Sequence, residues 1–252
     1  MIGKPERMFP IRDHNPSGRV PHVTRFLIVA NVLIFLAYWY GLPDEASLTR
    51  FIYTYGLIPA ALTQGGEWAG LVTSMFLHGG WAHLLGNMLF LHVFGDNLED
   101  SFGHFGFLAF YLASGIGAGM AQVVADPVSL IPMVGASGAI AGVMGGYLLL
   151  FPRARVDVLI IIVIFFRIFT IPAFIVLAFW FGLQLISGVS TPTDAGGVAY
   201  WAHAGGFIAG IALALLPWLR RGGPAFWQRS HGVPAHPAVQ TRIPLVRRAP
   251  RR

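Results

Sequence analysis

The sequence of 252 residues has no cysteine. That excludes a disulfide, a thiolate nucleophile and any cysteine metal ligand, and it leaves the redox compartment undecided. Charge is scarce as well. Asp, Glu, Lys and Arg make up 11% of the chain, against about a quarter in a soluble domain. No repeat of solenoid length is visible. What fills the chain instead is apolar: 55% of residues are hydrophobic, with a mean hydropathy of +0.64. The apolar residues fall in several long runs, which define an all-α polytopic membrane protein. In such a chain the excess of Arg reads as cytoplasmic anchoring rather than nucleic-acid binding.

Composition divides the chain into three. Residues 1–23 are polar, rich in Pro and Arg and without apolar period, which predicts a flexible cytoplasmic tail. Residues 24–219 hold the membrane domain. Residues 220–252 are rich in Pro and Arg, which predicts a disordered basic tail drawn to anionic lipid. Six spans are expected within the membrane domain, at 26–42, 81–94, 105–124, 137–151, 171–186 and 201–216. Residues 43–80, broken by Pro59, Gly65, Gly66 and Gly70, predict short helices in the interface. The acidic stretch 95–100 predicts an exit from the membrane after span two. Residues 156–166 are apolar apart from Asp157 but too short to cross, which predicts a dip into the interface. With both termini inside, the cytoplasmic segments carry 16 of the 17 Lys and Arg, and only Arg50 falls outside. That sets an N-in, C-in orientation.

The polar residues of the spans are not scattered. Spans two, four and six all begin at the outer face, and each carries its unusual polar residues near that beginning. They are His83 and Asn87, then Ser137, then His203. His83 and Asn87 are four apart and share a helix face. Gly138 and Gly142 make a small-xxx-small face on span four, and Gly206 and Gly210 make one on span six. If these faces pack together, Ser137 and His203 come within hydrogen-bond reach. A serine hydroxyl is a weak nucleophile without such a base. Asn87 and the backbone N–H of Ser137 could then donate to a developing oxyanion, donors worth about 3 to 4 kcal/mol each. Fifteen residues from Ser137 to the inner end of span four give about 22 Å, against about 30 Å of hydrocarbon. Ser137 therefore sits below the outer surface and needs a water-filled pocket.

Three stretches carry a family resemblance. They are Gly135-Ala136-Ser137-Gly138 with Gly142, Ala202-His203-Ala204-Gly205-Gly206 with Gly210, and His78-Gly79-Gly80-Trp81-Ala82-His83-Leu84-Leu85-Gly86-Asn87-Met88. In order and on these spans they resemble the rhomboid intramembrane serine proteases of bacterial type, over roughly residues 24–219. The resemblance implies a six-helix rhomboid bundle and a Ser-His dyad without a third acid. Ser137 would be the nucleophile and His203 the general base, with His83, Asn87 and the Ser137 amide as the oxyanion site. It implies no cofactor and no metal, with span five and the fifth loop as gate and cap. It also implies single-span transmembrane substrates with helix-weakening residues near the cut. The location implied is the cell (inner) membrane, with the site opening to the extracytoplasmic side. Two positions depart from the family pattern. The first-loop stretch Glu67-Trp68-Ala69-Gly70 lacks the usual Arg after its Trp, and Ala141 stands where an aromatic usually stacks on the histidine.

Other readings of the same residues remain open at this point. Ser137 fits a packing residue, Asn87 an interhelical hydrogen-bond partner, and His83 a helix-start residue bonded to a loop carbonyl. Asn31 and Gln184 read as bonding across helices. His78, His92 and His104 fall at opposite ends of the membrane and make no metal site. An inactive relative that binds membrane clients would lose the serine or the histidine, and both are present. A transporter would show paired ionisable residues or broken helices in repeated halves, and neither is visible.

Overall fold

The computed structural model describes residues 7–13, 15, 17–162, 165–192 and 196–234. Its elements in chain order are β1 (Arg7–Asp13), α1 (His22–Gly41), α2 (Glu45–Tyr55), α3 (Pro59–Gly65), α4 (Gly70–Thr73) and a 3₁₀ turn (Ser74–Phe76). Then come α5 (Trp81–Ala125), α6 (Ser137–Leu150), β2 (Arg155–Ile162), β3 (Phe165–Pro172), α7 (Ala173–Ser190), α8 (Tyr200–Arg220) and α9 (Pro224–Ser230). Among the described residues, α1, α5, α7 and α8 are long and apolar enough to cross a membrane. The fold is a mostly helical membrane fold.

The shortest of the apolar helices lies at the centre. α6 has 14 residues, about 21 Å of helix, and every residue from Gly138 to Tyr147 is buried. It is glycine-rich because its neighbours come in at backbone distance. A Cβ at Gly206 of α8 would lie 2.1 Å from the carbonyl oxygen of Gly138, and one at Gly210 would lie 1.9 Å from that of Gly142. On another face of α6, a Cβ at Gly142 would lie 2.3 Å from the Ser114 Cβ of α5, and one at Gly138 would lie 2.6 Å from the Ala118 Cβ. Only hydrogen fits at these crossings, so α6 is held between α5 and α8 with no side chain to spare.

The stretch 95–100, where the chain is expected to leave the membrane, is helical. α5 runs through it as helix and breaks only at Gly103, where φ is 71° and ψ is 167°, a conformation glycine adopts without strain. The helix persists because its polar residues there have partners inside the fold. Glu99 is 2% exposed. Its carboxylate accepts from the N–H groups of Val23 and Thr24, both at 2.8 Å, and from Thr24 Oγ1 at 2.7 Å. The opening N–H groups of a helix have no partner within it, and α1 offers no capping side chain of its own. Glu99 takes that place, and His104 contacts the same carboxylate. Asn97, also buried, donates from Nδ2 to the Asn15 carbonyl at 3.0 Å.

The all-α expectation is corrected at one place. The stretch expected to dip into the interface supplies strands, β2 and the start of β3. β2 and β3 form an antiparallel hairpin, and β1 pairs antiparallel with the other edge of β2. The run is rich in β-branched and aromatic residues, which suit a pleated surface. Val156 and Val158 are fully buried, and Thr170 donates to Asp157 Oδ1 at 2.6 Å across the pair. β1 comes from the stretch expected to be a flexible tail. In the region expected to be disordered from residue 220, α9 packs back on the domain. Trp227 Nε1 donates to the Leu149 carbonyl at 2.8 Å, and its ring lies 4.8 Å from that of Trp218. The rest of the predicted C-tail, 235–252, lies outside the described residues.

The loop 43–80 holds the short helices expected of it. α2 starts on Asp44, whose side chain accepts from the Ser47 N–H at 2.7 Å. The chain then returns to α5 through His78, whose N–H and carbonyl both bond to the Tyr38 hydroxyl of α1.

Candidate active site

Ser137 is the first residue of α6. The segment before it is tied down, since the Gly135 N–H donates to the Ser74 carbonyl at 2.9 Å. His203 lies in the first turn of α8. The glycine contacts between the two helices bring these side chains together: His203 Nε2 is 2.8 Å from Ser137 Oγ.

The other ring nitrogen fixes the direction of that bond. His203 Nδ1 is 2.8 Å from Gln184 Oε1 on α7. A carboxamide oxygen only accepts, so Nδ1 carries the ring proton and donates it. Nε2 is left with a lone pair, and the Ser137 hydroxyl donates to it. Trp180, one turn before Gln184 on α7, packs beside the same imidazole with ring centroids 5.8 Å apart. These two residues meet the ring that Ala141 cannot reach as an aromatic would. Ala141 itself is fully buried.

His83 and Asn87 face the same space from α5. Asn87 is 8% exposed, and its Nδ2 has no hydrogen-bond partner among the described residues. An amide left without a partner in a buried place costs free energy, and Asn87 borders the cavity that Ser137 also lines. Of the two roles left open for His83, the loop contact takes a different form from the one expected. The Gly79 N–H donates to its Nδ1 at 3.4 Å, a long bond to a loop amide rather than to a carbonyl. With Nδ1 accepting, the proton sits on Nε2. A Cβ at Gly135 would lie 2.7 Å from His83 Nε2 and 3.3 Å from Ser137 Oγ. Gly135 has a φ of 131°, which a side chain would strain. The missing side chain leaves Nε2 of His83 and the serine facing one small gap.

His83, Asn87, Ser137, Trp180 and His203 line one cavity of about 550 Å³. At about 30 Å³ per molecule it has room for more than ten waters. Among its described lining residues there is no Asp, Glu, Lys or Arg. His78, by contrast, is buried outside the lining, and His104 is taken up by Glu99. Gln184 and Trp180 are the members that sequence reasoning did not assign to the site. The available signal was a lone carboxamide in an apolar span with a tryptophan four residues before it.

The class is thereby defined: a helical membrane protein in which a serine hydroxyl and an imidazole, on two glycine-packed helices, meet in one cavity with a spare amide donor. The Rhomboid domain family matches residues 65–220, and the chain belongs to the Rhomboid family. It is similar to Rhomboid protease GluP of Bacillus subtilis (strain 168), 35% identical over 128 residues, which is 51% of this chain and 24% of that protein. It is similar to Putative rhomboid protease YdcA of the same organism, 42% identical over 83 residues, 33% of this chain and 41% of that protein. Rhomboid-like protein 11, chloroplastic, of Arabidopsis thaliana is 33% identical over 117 residues, 46% of this chain and 38% of that protein. The chain thus spans well under half the length of these relatives.

Proposed function

We propose that the chain is an intramembrane serine endopeptidase that hydrolyses peptide bonds in or near transmembrane segments of membrane-protein substrates. The Ser137 Oγ attacks the scissile carbonyl carbon while His203 Nε2 takes its proton. The carbonyl oxygen, now an anion, accepts from Asn87 Nδ2, from His83 Nε2–H and from the Ser137 N–H. The imidazolium then gives its proton to the departing amine, leaving an acyl ester on Ser137. Water from the cavity attacks that ester, with Nε2 again taking the proton and returning it to Oγ. Every role is filled by a side chain or amide of this chain, with no cofactor or metal invoked.

The reading includes a topology. Gly103 joins two spans within α5, and with α1, α6, α7 and α8 these make six, both termini cytoplasmic. The charge bias supports it, since only Arg50 of the 17 Lys and Arg falls outside. α6 is about 21 Å long against about 30 Å of hydrocarbon, so Ser137 lies below an extracytoplasmic surface of the cell membrane. Substrates are then single-span proteins that present an unwound stretch at that depth.

The single observation that carries the proposal is the 2.8 Å contact between Ser137 Oγ and His203 Nε2. The test is cleavage of a tagged single-span substrate by pure protein reconstituted in liposomes. Wild type is expected to cleave, and Ser137→Ala and His203→Ala are not. Equal cleavage by all three would remove the dyad. No cleavage of any single-span protein by wild type would favour a client-binding relative.

A further inference from the structure

We propose that Gln184 is a positioning residue for the general base, holding His203 in the one tautomer and orientation that can deprotonate Ser137. This rests on the dyad reading above. An imidazole has two nitrogens, and a neutral ring carries its proton on either one. Only the Nδ1–H form leaves Nε2 free to act on the serine. In a Ser-His-Asp arrangement a carboxylate enforces that choice. Among the described residues lining this cavity there is no carboxylate. Gln184 Oε1 stands at 2.8 Å from Nδ1 in its place.

The surroundings of the ring leave that task to Gln184. Ala141 on α6 is a methyl group and offers no hydrogen bond. Trp180 on α7 presents a ring beside the imidazole, which orients its plane and leaves the tautomer unselected. Ser137 on α6 meets the other ring nitrogen, and His83 and Asn87 on α5 line the same cavity. A serine hydroxyl alone accepts from an Nε2–H as readily as it donates to an Nε2 lone pair. Without Gln184 the ring would therefore be free to hold its proton on the wrong nitrogen. Because Trp180 and Gln184 both belong to α7, the base is set by three helices, and separating α7 from α8 would undo it.

The first measurement uses wild type, by ¹⁵N NMR of the histidine rings in reconstituted full-length protein at neutral pH. His203 is expected as the Nδ1–H tautomer, and an Nε2–H tautomer would overturn the proposal. The second compares kinetics. Gln184→Leu, which has similar size and no acceptor, is expected to lower kcat by about 10- to 100-fold, the size of effect seen when a metal-bound histidine loses the partner that orients it. KM is expected to stay within about twofold. Gln184→Glu is expected to recover most of the lost kcat. Its carboxylate would favour the imidazolium, so the acidic limb of the kcat/KM profile should move to higher pH. An unchanged kcat in Gln184→Leu, or a Gln184→Glu no better than Gln184→Leu, would overturn the assignment. Ser137→Ala and His203→Ala in the same assay keep the two claims apart. If they cleave, the dyad falls, and if they are dead while Gln184→Leu is fully active, only the positioning role falls.

Discussion

Gly206→Ala tests the packing that assembles the site. The added methyl would lie 2.1 Å from the Gly138 carbonyl oxygen and 3.0 Å from its carbon. The obstacle is backbone, which no rotamer change can move aside. Helix α8 must therefore retreat from α6 by about 1 Å, at a cost of about 1 to 3 kcal/mol for overpacking. Gly206 is three residues from His203, and Gly138 adjoins Ser137. Most of the retreat is therefore felt at the 2.8 Å contact between the two side chains. Lengthened by about 1 Å it would no longer be a hydrogen bond. A misplacement of that size costs about 100-fold in rate. The assay is kcat on a single-span substrate in liposomes, alongside a thermal melt. Gly182→Ala on α7 is the control, because a Cβ there meets nothing within 4 Å. It should leave kcat unchanged. Wild-type kcat in Gly206→Ala would refute the idea that backbone contact between α6 and α8 sets the dyad.

Asn87→Ala should lower kcat by about 100- to 1000-fold, the usual effect of losing one oxyanion donor, with little change in KM. An unchanged kcat would assign Asn87 to packing. Glu99→Ala removes the acceptor that caps α1 and leaves one buried and one half-buried N–H group without it. Hydrogen bonds to a charged group contribute about 1.5 to 3 kcal/mol each, so the thermal midpoint should fall clearly while Glu99→Gln falls less. A melt of Glu99→Ala that overlays wild type would show that α1 is held some other way.

The positions of His83, Asn87, Ser137 and His203 were legible because helical spacing and hydropathy are local properties of sequence. The glycine pairs were legible for the same reason, since a small-xxx-small face is a spacing. Other features depend on distant partners. Asp96, Glu99 and Asp100 read as an exit from the membrane, and nothing local tells that the start of α1, some 75 residues away, lays its N–H groups on Glu99. The apolar run at 156–166 has no period that separates a strand from a buried helix, and its sheet needs β1 from the chain's beginning. α9 stays ordered through contacts such as that of Trp227 with the end of α6, which composition cannot reveal. The partnership of Gln184 with His203 spans 19 residues and two helices. From sequence it was visible only as a carboxamide that needed some partner across the bundle.

Covalent labelling of the pure protein with a serine-directed fluorophosphonate, followed by mass spectrometry of the modified peptide, decides whether Ser137 is an activated nucleophile. A hydroxyl activated by His203 should carry the label at Ser137 in wild type and lose it in His203→Ala. Protein that cleaves substrate yet leaves Ser137 unlabelled would place the nucleophile elsewhere, and a His203→Ala variant labelled as fast as wild type would show that His203 does not activate it.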